Sequence, residues 1–360
     1  MGNLIILEDS SQSKYGGGQR VTEEICNSLN FTDSIYVIDT QKSKLLEQLK
    51  KAQNVNTISL NIQTKSKIIF NTFMILKTLY AFNSIKLNNK ILYIVTRKHL
   101  FSGILIKLFN KNIKIIYHYH LSTKKNFLWY LYDFLTFLIS DYCLFASSFL
   151  KEDFLVKRGK FFFRKTYKMF EVPYPPSKWK TKEIIQLQIP ITPFKIAYIG
   201  KLSKDKGVLL FLEALKYLPK TFNWEAVIAG DGELKETILE IIEKEFPSQN
   251  VKYIGNVETN LNFYLNLSVV VVPSFDFIET IGLTALEAIQ AGVPVLAASN
   301  GNLKNFIKQN FCIEISKNPK EISIKLEEIY FQLVNNNFRQ LHNSSTENFK
   351  KFYINFISKM

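Results

Sequence analysis

A chain of 360 residues, 47% of them hydrophobic and with 30 Phe and 17 Tyr, has enough apolar surface to core two domains, which excludes a disordered chain. Three cysteines, Cys26, Cys143 and Cys312, lie far apart with no C-x-x-C pair; this argues against a zinc site or a disulfide framework and fits a reducing compartment. The net charge of +15 belongs wholly to the first half, where residues 1–180 hold 27 Lys/Arg against 12 Asp/Glu, while residues 181–360 hold 19 of each. That asymmetry points to an anionic partner for the first half, whether anionic lipid, a pyrophosphate-linked acceptor or nucleic acid, unless the lysines simply solvate its surface.

The opening MGNLIILED has no basic n-region and no cleavage site, so no signal peptide is expected. Strands are predicted at Leu4–Leu7, Ile35–Ile38, Ile91–Val95, Ile113–Tyr117 and Cys143–Ala146, with a helix over Arg20–Leu29. The run FLWYLYDFLTFLIS, from Phe127 to Ser140, is the most apolar segment. It is too short for a membrane span and has Asp133 at its middle, so it reads as a buried or interfacial helix. Five prolines within residues 172–193 mark an interdomain linker.

The second half alternates cleanly. Strands are expected at Phe194–Ile199, Glu225–Ala229, Val251–Ile254, Val269–Val272 and Val295–Ala298, and helices at Val208–Tyr217, Glu233–Phe246 and Ile281–Ala291. Short apolar strands separated by helices imply a parallel sheet covered on both faces. Two such doubly wound units place ligands at the carboxyl ends of their strands, in a cleft between the units. After Ser316 a Lys/Glu/Asn-rich helical tail runs to the last residues.

The candidate chemistry gathers at the strand ends. Between Pro273 and Gly301 the chain reads PSFDFIETIGLTALEAIQAGVPVLAASNG. Glu279 and Glu287 stand eight apart, with Ile281-Gly282-Leu283 between them. A carboxylate-bearing loop feeds a helix whose first free N–H groups and dipole favour an anion. On a regular helix the two carboxylates are ~12 Å apart along the axis, about the reach of a sugar, a diphosphate and a ribose. Gly200-Lys201 to Lys206-Gly207 offers cations where a diphosphate leaving group needs them. Gly230, in AGDGE, and Gly255-Asn256-Val257 are further strand-to-helix turns where backbone can approach a ligand. In the first half, Gly16-Gly17-Gly18-Gln19-Arg20 follows the first strand, and His118 and His120 end another. Two histidines at i and i+2 could hold a metal, but no third ligand accompanies them and none is expected.

The E-x7-E pattern within GLTALEAIQAGVPVLA resembles that of the retaining GT-B glycosyltransferases of the family 4-like type. The resemblance is strongest from Ile196 to about Ile307 and thins to fold level over residues 1–180. It implies two Rossmann-like domains facing across a cleft. Residues 1–175 would form the acceptor-side domain, with a last helix at about 340–360 packing back on it through Phe349, Phe352, Tyr353 and Phe356. Residues 190–335 would bind the donor. It further implies transfer of a sugar from a nucleotide-diphosphate sugar, UDP-sugar favoured, to a glycan or lipid-linked acceptor in bacterial surface polysaccharide or lipopolysaccharide synthesis, with no bound cofactor and no metal.

Carried over residue by residue, Glu279, His120 and Lys206 are the catalytic candidates. Donor binding falls to Gly200, Lys201, Gly230, Gly255, Val257, Ile281, Gly282, Leu283, Glu287, Gly17 and Gly18. Lys201 stands where the family has arginine, and Asn302 and Asn305 where it has glycine and glutamate. A GT-B epimerase, and a membrane- or nucleic-acid-binding protein with a vestigial donor site, are the other readings; nucleic acid is disfavoured because no recognition module is present. The expected location is cytoplasmic, peripheral on the inner face of the cell membrane. The basic–aromatic stretches Lys157–Lys165 and Lys65–Lys90 are the candidate contacts with anionic lipid.

Overall fold

The computed structural model describes residues 3–10, 17–29, 34–52, 54–159, 162, 166–175, 186–188, 192–219, 222–248, 250–335, 338–340 and 346–358. The chain divides into two compact units, Met1–Pro176 with Ser345–Met360, and Ser177–Ser344.

The first unit is built on a parallel sheet. In chain order its elements are β1 (Asn3–Glu8), α1 (Gly17–Ser28), β2 (Ile35–Asp39), α2 (Lys44–Leu49), β3 (Val55–Ser59), α3 (Lys67–Ser84), β4 (Lys90–Ile94), α4 (Leu100–Phe109), β5 (Lys114–Tyr119), α5 (Phe127–Ile139), β6 (Tyr142–Phe145), α6 (Ser148–Arg158) and β7 (Met169–Glu171). The strand order is β3-β2-β1-β4-β5-β6-β7, and every pairing is parallel. Central strands such as LIIL are apolar on both faces because helices cover both, and Leu4, Ile5, Ile6 and Leu7 are all buried. Several helices begin at a side-chain cap. Ser43, Asn126 and Ser147 accept from Leu46, Trp129 and Leu150 backbone N–H groups, satisfying donors that the helix itself leaves open.

The second unit contains β8 (Gln186–Gln188), β9 (Phe194–Ile199), α7 (Val208–Leu215), β10 (Trp224–Ala229), α8 (Lys235–Glu245), β11 (Val251–Gly255), α9 (Leu261–Leu265), β12 (Val269–Val272), α10 (Leu283–Gln290), β13 (Val295–Ala298), α11 (Leu303–Lys308), β14 (Ile313–Ile315), α12 (Pro319–Asn335) and β15 (Phe338–Gln340). Six strands form a parallel sheet ordered β11-β10-β9-β12-β13-β14, and β8 and β15 pair antiparallel beside it in sequence only. The order reverses at β9, the point where open α/β sheets form a crevice at their strand ends. The core of this unit includes Phe194, Ile196, Phe211, Ile228, Val269, Leu296 and Ile322.

A last helix, α13 (Thr346–Ser358), returns to the first unit and packs on α1. Tyr353 is fully buried with its hydroxyl 3.3 Å from that of Tyr93, and Phe356 lies edge-on to Tyr142 and Phe170. The side chain of Phe349 lies outside the described residues.

The segment Asp133 interrupts is a helix with a buried charge at its centre. Arg158 pairs with Asp133 at 2.6 Å, and Thr123 donates to the same carboxylate oxygen at 2.6 Å. The same pairing places part of Lys157–Lys165, a candidate lipid contact, inside the fold. Arg158 is 5% exposed and Phe162 is fully buried among Tyr130, Phe137 and Phe154, so its described aromatic is core. Residues 160–161 and 163–165 lie outside the described residues.

Candidate active site

The donor-side candidates of the second unit converge at the carboxyl ends of its strands. The Gly200 N–H donates to Ala229 O at 2.9 Å and the Gly230 N–H to Gly255 O at 2.8 Å, so the turns after β9, β10 and β11 are stitched side by side. Gly230, at φ 141°, has no room for a side chain: a Cβ there would sit 1.8 Å from Gly200 O. Lys201 is exposed, and its carbonyl is held by the Tyr198 hydroxyl at 2.8 Å. Val257 is half-buried in the loop after β11. The Asp231 carboxylate accepts from the Gly232 N–H at 2.9 Å, and Leu234 occupies the cap position of α8.

Lys206 and Glu279 meet. The Lys206 ammonium lies 2.7 Å from Glu279 Oε1 and 3.6 Å from the centre of the Phe277 ring. The Ser274 hydroxyl donates to the same carboxylate oxygen at 2.9 Å. Lys206 reaches this place because Gly207, in the left-handed region at φ 77°, lets the turn close against β12; a Cβ there would lie 2.1 Å from Pro273 O. Both side chains are partly open to solvent, at 19% and 13% exposure, so the pair remains accessible to a ligand.

Helix α10 begins later than the sequence predicts. Gly282 adopts φ 76°, which ends the loop, and the helix covers only Leu283–Gln290. The two glutamates therefore do not share one regular helix, and the ~12 Å axial spacing expected of them does not apply. Glu279 rides on the loop, and Glu287 sits in the second turn of α10, 6% exposed. Tyr264 and Thr259 hydroxyls donate to Glu287 Oε2 at 2.7 and 3.0 Å. The Thr284 hydroxyl reaches Ile199 O at 3.3 Å and ties the helix start to the end of β9.

The departures from the family pattern have a structural role. Asn302 is fully buried; its amide donates to Ile281 O at 2.8 Å and its backbone N–H to Glu279 O at 2.7 Å. Asn305 donates to Asn302 Oδ1 at 2.9 Å. Asn300 clamps three carbonyls of the same loop, those of Ser274, Phe275 and Phe277. Sequence reasoning missed Tyr264, Thr259, Ser274 and Asn300, because a hydroxyl or amide aimed at a loop leaves no spacing signal.

The remaining candidates lie in the first unit. His120 follows β5, and its ring lies 3.9 Å from that of His118. Burial pushes the His120 pKa down to about 4, so its imidazole is neutral near pH 7 and can act as a hydrogen-bond donor but not as a standing cation. His118 is held well below its ordinary value by burial and by His120, and its Nδ1 lies 2.7 Å from the Tyr93 hydroxyl. Gly17 and Gly18 form the first turn of α1; Tyr15 and Gly16 lie outside the described residues. Arg20 is 5% exposed in that helix. Burial pushes the nearby Glu8 carboxyl up to about 7, despite hydrogen bonds from Thr22 and the Asp9 N–H. Among the described residues no group of three or more His, Cys, Asp or Glu is arranged to hold a metal ion.

The strand-end turns, the Lys206–Glu279 pair and the buried Glu287 all fall in one segment of sequence. Residues 180–340 match the family model of the glycosyl transferases, group 1. An uncharacterised glycosyltransferase of Methanocaldococcus jannaschii is 32% identical over 132 residues, 36% of this chain and 33% of that one. An N-acetylgalactosaminyltransferase of Campylobacter jejuni, which by its name acts on an undecaprenol-diphosphate-linked saccharide, is 30% identical over 172 residues, 46% of this chain and 45% of its own. The chain spans about a third of the length of the first curated relatives it matches. Among solved structures, Anabaena HepE in complex with UDP superposes with a TM-score of 0.72 at 14% identity, covering all of both chains. A Rickettsia africae glycosyltransferase gives 0.74 at 16%, covering 99% of this chain and 98% of the other. The fold is GT-B, with two parallel-sheet α/β domains.

Proposed function

We propose that this chain is a retaining glycosyltransferase. It moves a sugar from a nucleotide-diphosphate sugar, with UDP the favoured nucleotide, to a hydroxyl of a glycan or lipid-linked acceptor. Its setting is the synthesis of bacterial surface polysaccharide or lipopolysaccharide, at the cytoplasmic face of the membrane. The observation that carries this reading is the Lys206–Glu279 pair, 2.7 Å apart, at the loop that opens α10. The relatives in glycan and lipopolysaccharide synthesis and the UDP-bound neighbour support it.

In this reading the acceptor hydroxyl attacks the anomeric carbon on the face from which the diphosphate leaves. The bond from that carbon to the phosphate oxygen breaks, and the same oxygen takes the acceptor's proton. No protein nucleophile is needed. Lys206 has three donors, so it can keep Glu279 and still meet a phosphate oxygen as charge builds on the leaving group. Lys201 and the backbone of Ile281, Gly282 and Leu283 add to that field. Glu279 orients the sugar. Neutral His120 donates a hydrogen bond to it, and Glu287 holds the ribose hydroxyls. Gly17, Gly18, Gly200, Gly230, Gly255 and Val257 bring backbone close to the nucleotide or phosphates.

The test is a melting screen across UDP-, GDP-, ADP- and CMP-sugars, followed by product analysis. A true donor at 100 times its Kd stabilises by ~2.7 kcal/mol. Silence across all four classes would remove the donor assignment. Epimerised sugar nucleotide formed without any acceptor would replace transfer by epimerisation.

A further inference from the structure

Three helices of the first unit, α3, α4 and α5, leave large apolar side chains exposed. A surface helix normally buries its apolar stripe and exposes its polar one. Helix α5 buries Asp133 and Thr136 along with Phe137, and leaves Phe127 and Leu128 about three-quarters exposed, at 76% and 75%. Its register is not accidental, because the Asp133–Arg158 pair pins the polar side inward. Helix α3 buries Met74, Ala81 and Phe82 yet also exposes Ile68, Leu76 and Tyr80, and α4 buries Leu100 and Ile106 yet exposes Phe101 and Phe109. α3 packs on α4 and α4 on α5, so the three helices form one layer of the unit, and its exposed face carries these apolar side chains. None of these helices is long and apolar enough to cross a membrane.

Within that layer α3, α5 and the start of α4 enclose a groove of about 690 Å³. Its walls are mainly apolar, with Ile68, Ile75, Phe101 and Leu128 beside the polar Lys67, Asn71 and Thr72. One end is cationic. Arg97 and Lys98 follow β4, and the Arg97 guanidinium lies 4.3 Å over the Trp129 ring. Lys124, after β5, places its ammonium 6.0 Å from the same ring. This end therefore sits at the carboxyl edge of the sheet, and the apolar walls run outward from it. Asp9 and Asp133 partly offset Lys98 and Arg97, at 2.5 and 3.9 Å, yet no carboxylate lines the groove itself. The first half of the chain carries the entire net charge of +15.

We infer that the groove binds a prenyl phosphate: a long isoprenoid chain lies along Ile68, Phe101 and Leu128, and its phosphate meets Arg97, Lys98 and Lys124. The complement is specific in kind, because a soluble glycan has no use for the walls and a neutral lipid none for the cations. The inference deepens the proposed function, on which it rests, by making the acceptor lipid-linked and naming the face that receives it. It places the lipid contact on α3, within the Lys65–Lys90 candidate, and extends it to α4 and α5.

The experiment is vesicle flotation of the full chain without any sugar nucleotide. The vesicles are phosphatidylcholine alone, or doped with a few mole per cent of a long-chain prenyl phosphate, or with the same fraction of phosphatidylglycerol. Prenyl phosphate is expected to raise binding roughly 10-fold over neutral vesicles, by apolar insertion and cation–phosphate attraction together. Phosphatidylglycerol at the same fraction should give well under half of that gain. The paired substitution Phe101→Gln with Leu128→Gln, at exposed positions and checked by an unchanged melting curve, should abolish the gain, as should Arg97→Gln with Lys98→Gln. Four outcomes would overturn the inference: no binding to prenyl phosphate, equal binding to both anionic vesicles, full binding by either paired variant, or a wild-type dimer that Phe101→Gln with Leu128→Gln breaks. UDP binding, read separately by melting, keeps the two readings apart. Lost donor binding with lipid binding intact counts against the proposed function alone, and the reverse counts against the groove alone.

Discussion

Asn302→Ala isolates what the unexpected asparagine does for the loop that carries Glu279. The substitution keeps the helical backbone of Asn302, at φ −70° and ψ −16°, and its N–H bond to Glu279 O. It removes two side-chain bonds, to Ile281 O at 2.8 Å and from Asn305 at 2.9 Å. Each neutral bond contributes about 1 kcal/mol net, and a buried carbonyl left without its donor costs about 1–3 kcal/mol more. Asn302 is fully buried and Ile281 nearly so, which places the loss at about 3 kcal/mol. In a domain of this size that is a fall of roughly 6–12 °C in melting temperature. Asn305→Ala loses the outer bond and should fall by roughly 2–4 °C for it. The loosened loop should also lower kcat roughly 10-fold or more, since Glu279 is no longer held in place. Scanning calorimetry with steady-state kinetics decides the matter. A melting temperature within a degree or two of the parent's, with unchanged kcat, would refute the claim that Asn302 fastens this loop.

Glu279→Gln and Lys206→Ala should each cut turnover by roughly 10²-fold with folding intact, the scale for one oriented electrostatic group; activity within a few-fold of the parent in both would remove them from the chemistry. Glu287→Ala should raise the donor KM much more than it lowers kcat, because ribose contacts change little toward the transition state; a normal KM with collapsed kcat would contradict that role. Glu8 titrates near 7 in the folded protein against an ordinary 4.5, chiefly through burial, so folding binds its proton and its contribution to stability is lost as pH rises from about 4.5 to 7. Depressed His99, His118 and His120 act in the opposite sense, stabilising above pH 6.5 and losing that contribution as pH falls, so urea unfolding of Glu8→Gln beside the parent isolates the acid: the difference should change by about 3 kcal/mol across the window, and a pH-independent difference would show that Glu8 is not held protonated.

The parts of this fold that are legible in the sequence are those where one physical cause dominates. Phe194–Ile199, Val269–Val272 and Val295–Ala298 have the bounds the sequence predicts, because central parallel strands are apolar on both faces and end at turns. Strand β3 reads VNTIS and has no buried residue; as an edge strand it never needed an apolar pattern. β7 and β14 are three-residue edge strands, too short to show a period. At the candidate site the backbone chemistry is visible, since glycines at φ 76–77° are written as glycines. The side chains that fix its carboxylates are not. Tyr264 lies 23 residues from Glu287 and Ser274 five from Glu279, and only the packing of α9 and the β12 end against α10 brings them together.

Helix α5 shows the deeper limit. Its composition announces an apolar helix, and the natural inference from hydrophobicity is that most of it is buried. The direction it faces is decided elsewhere, by Arg158, 25 residues along the chain. A carboxylate inside the fold must be paired, and its partner is available only on the inner side of the helix. Once Asp133 is committed inward, the 3.6-residue period sends Phe127, Leu128 and Leu131 outward, whatever their preference. The exposed leucines are thus the consequence of a buried ion pair, not of a weak preference for the core.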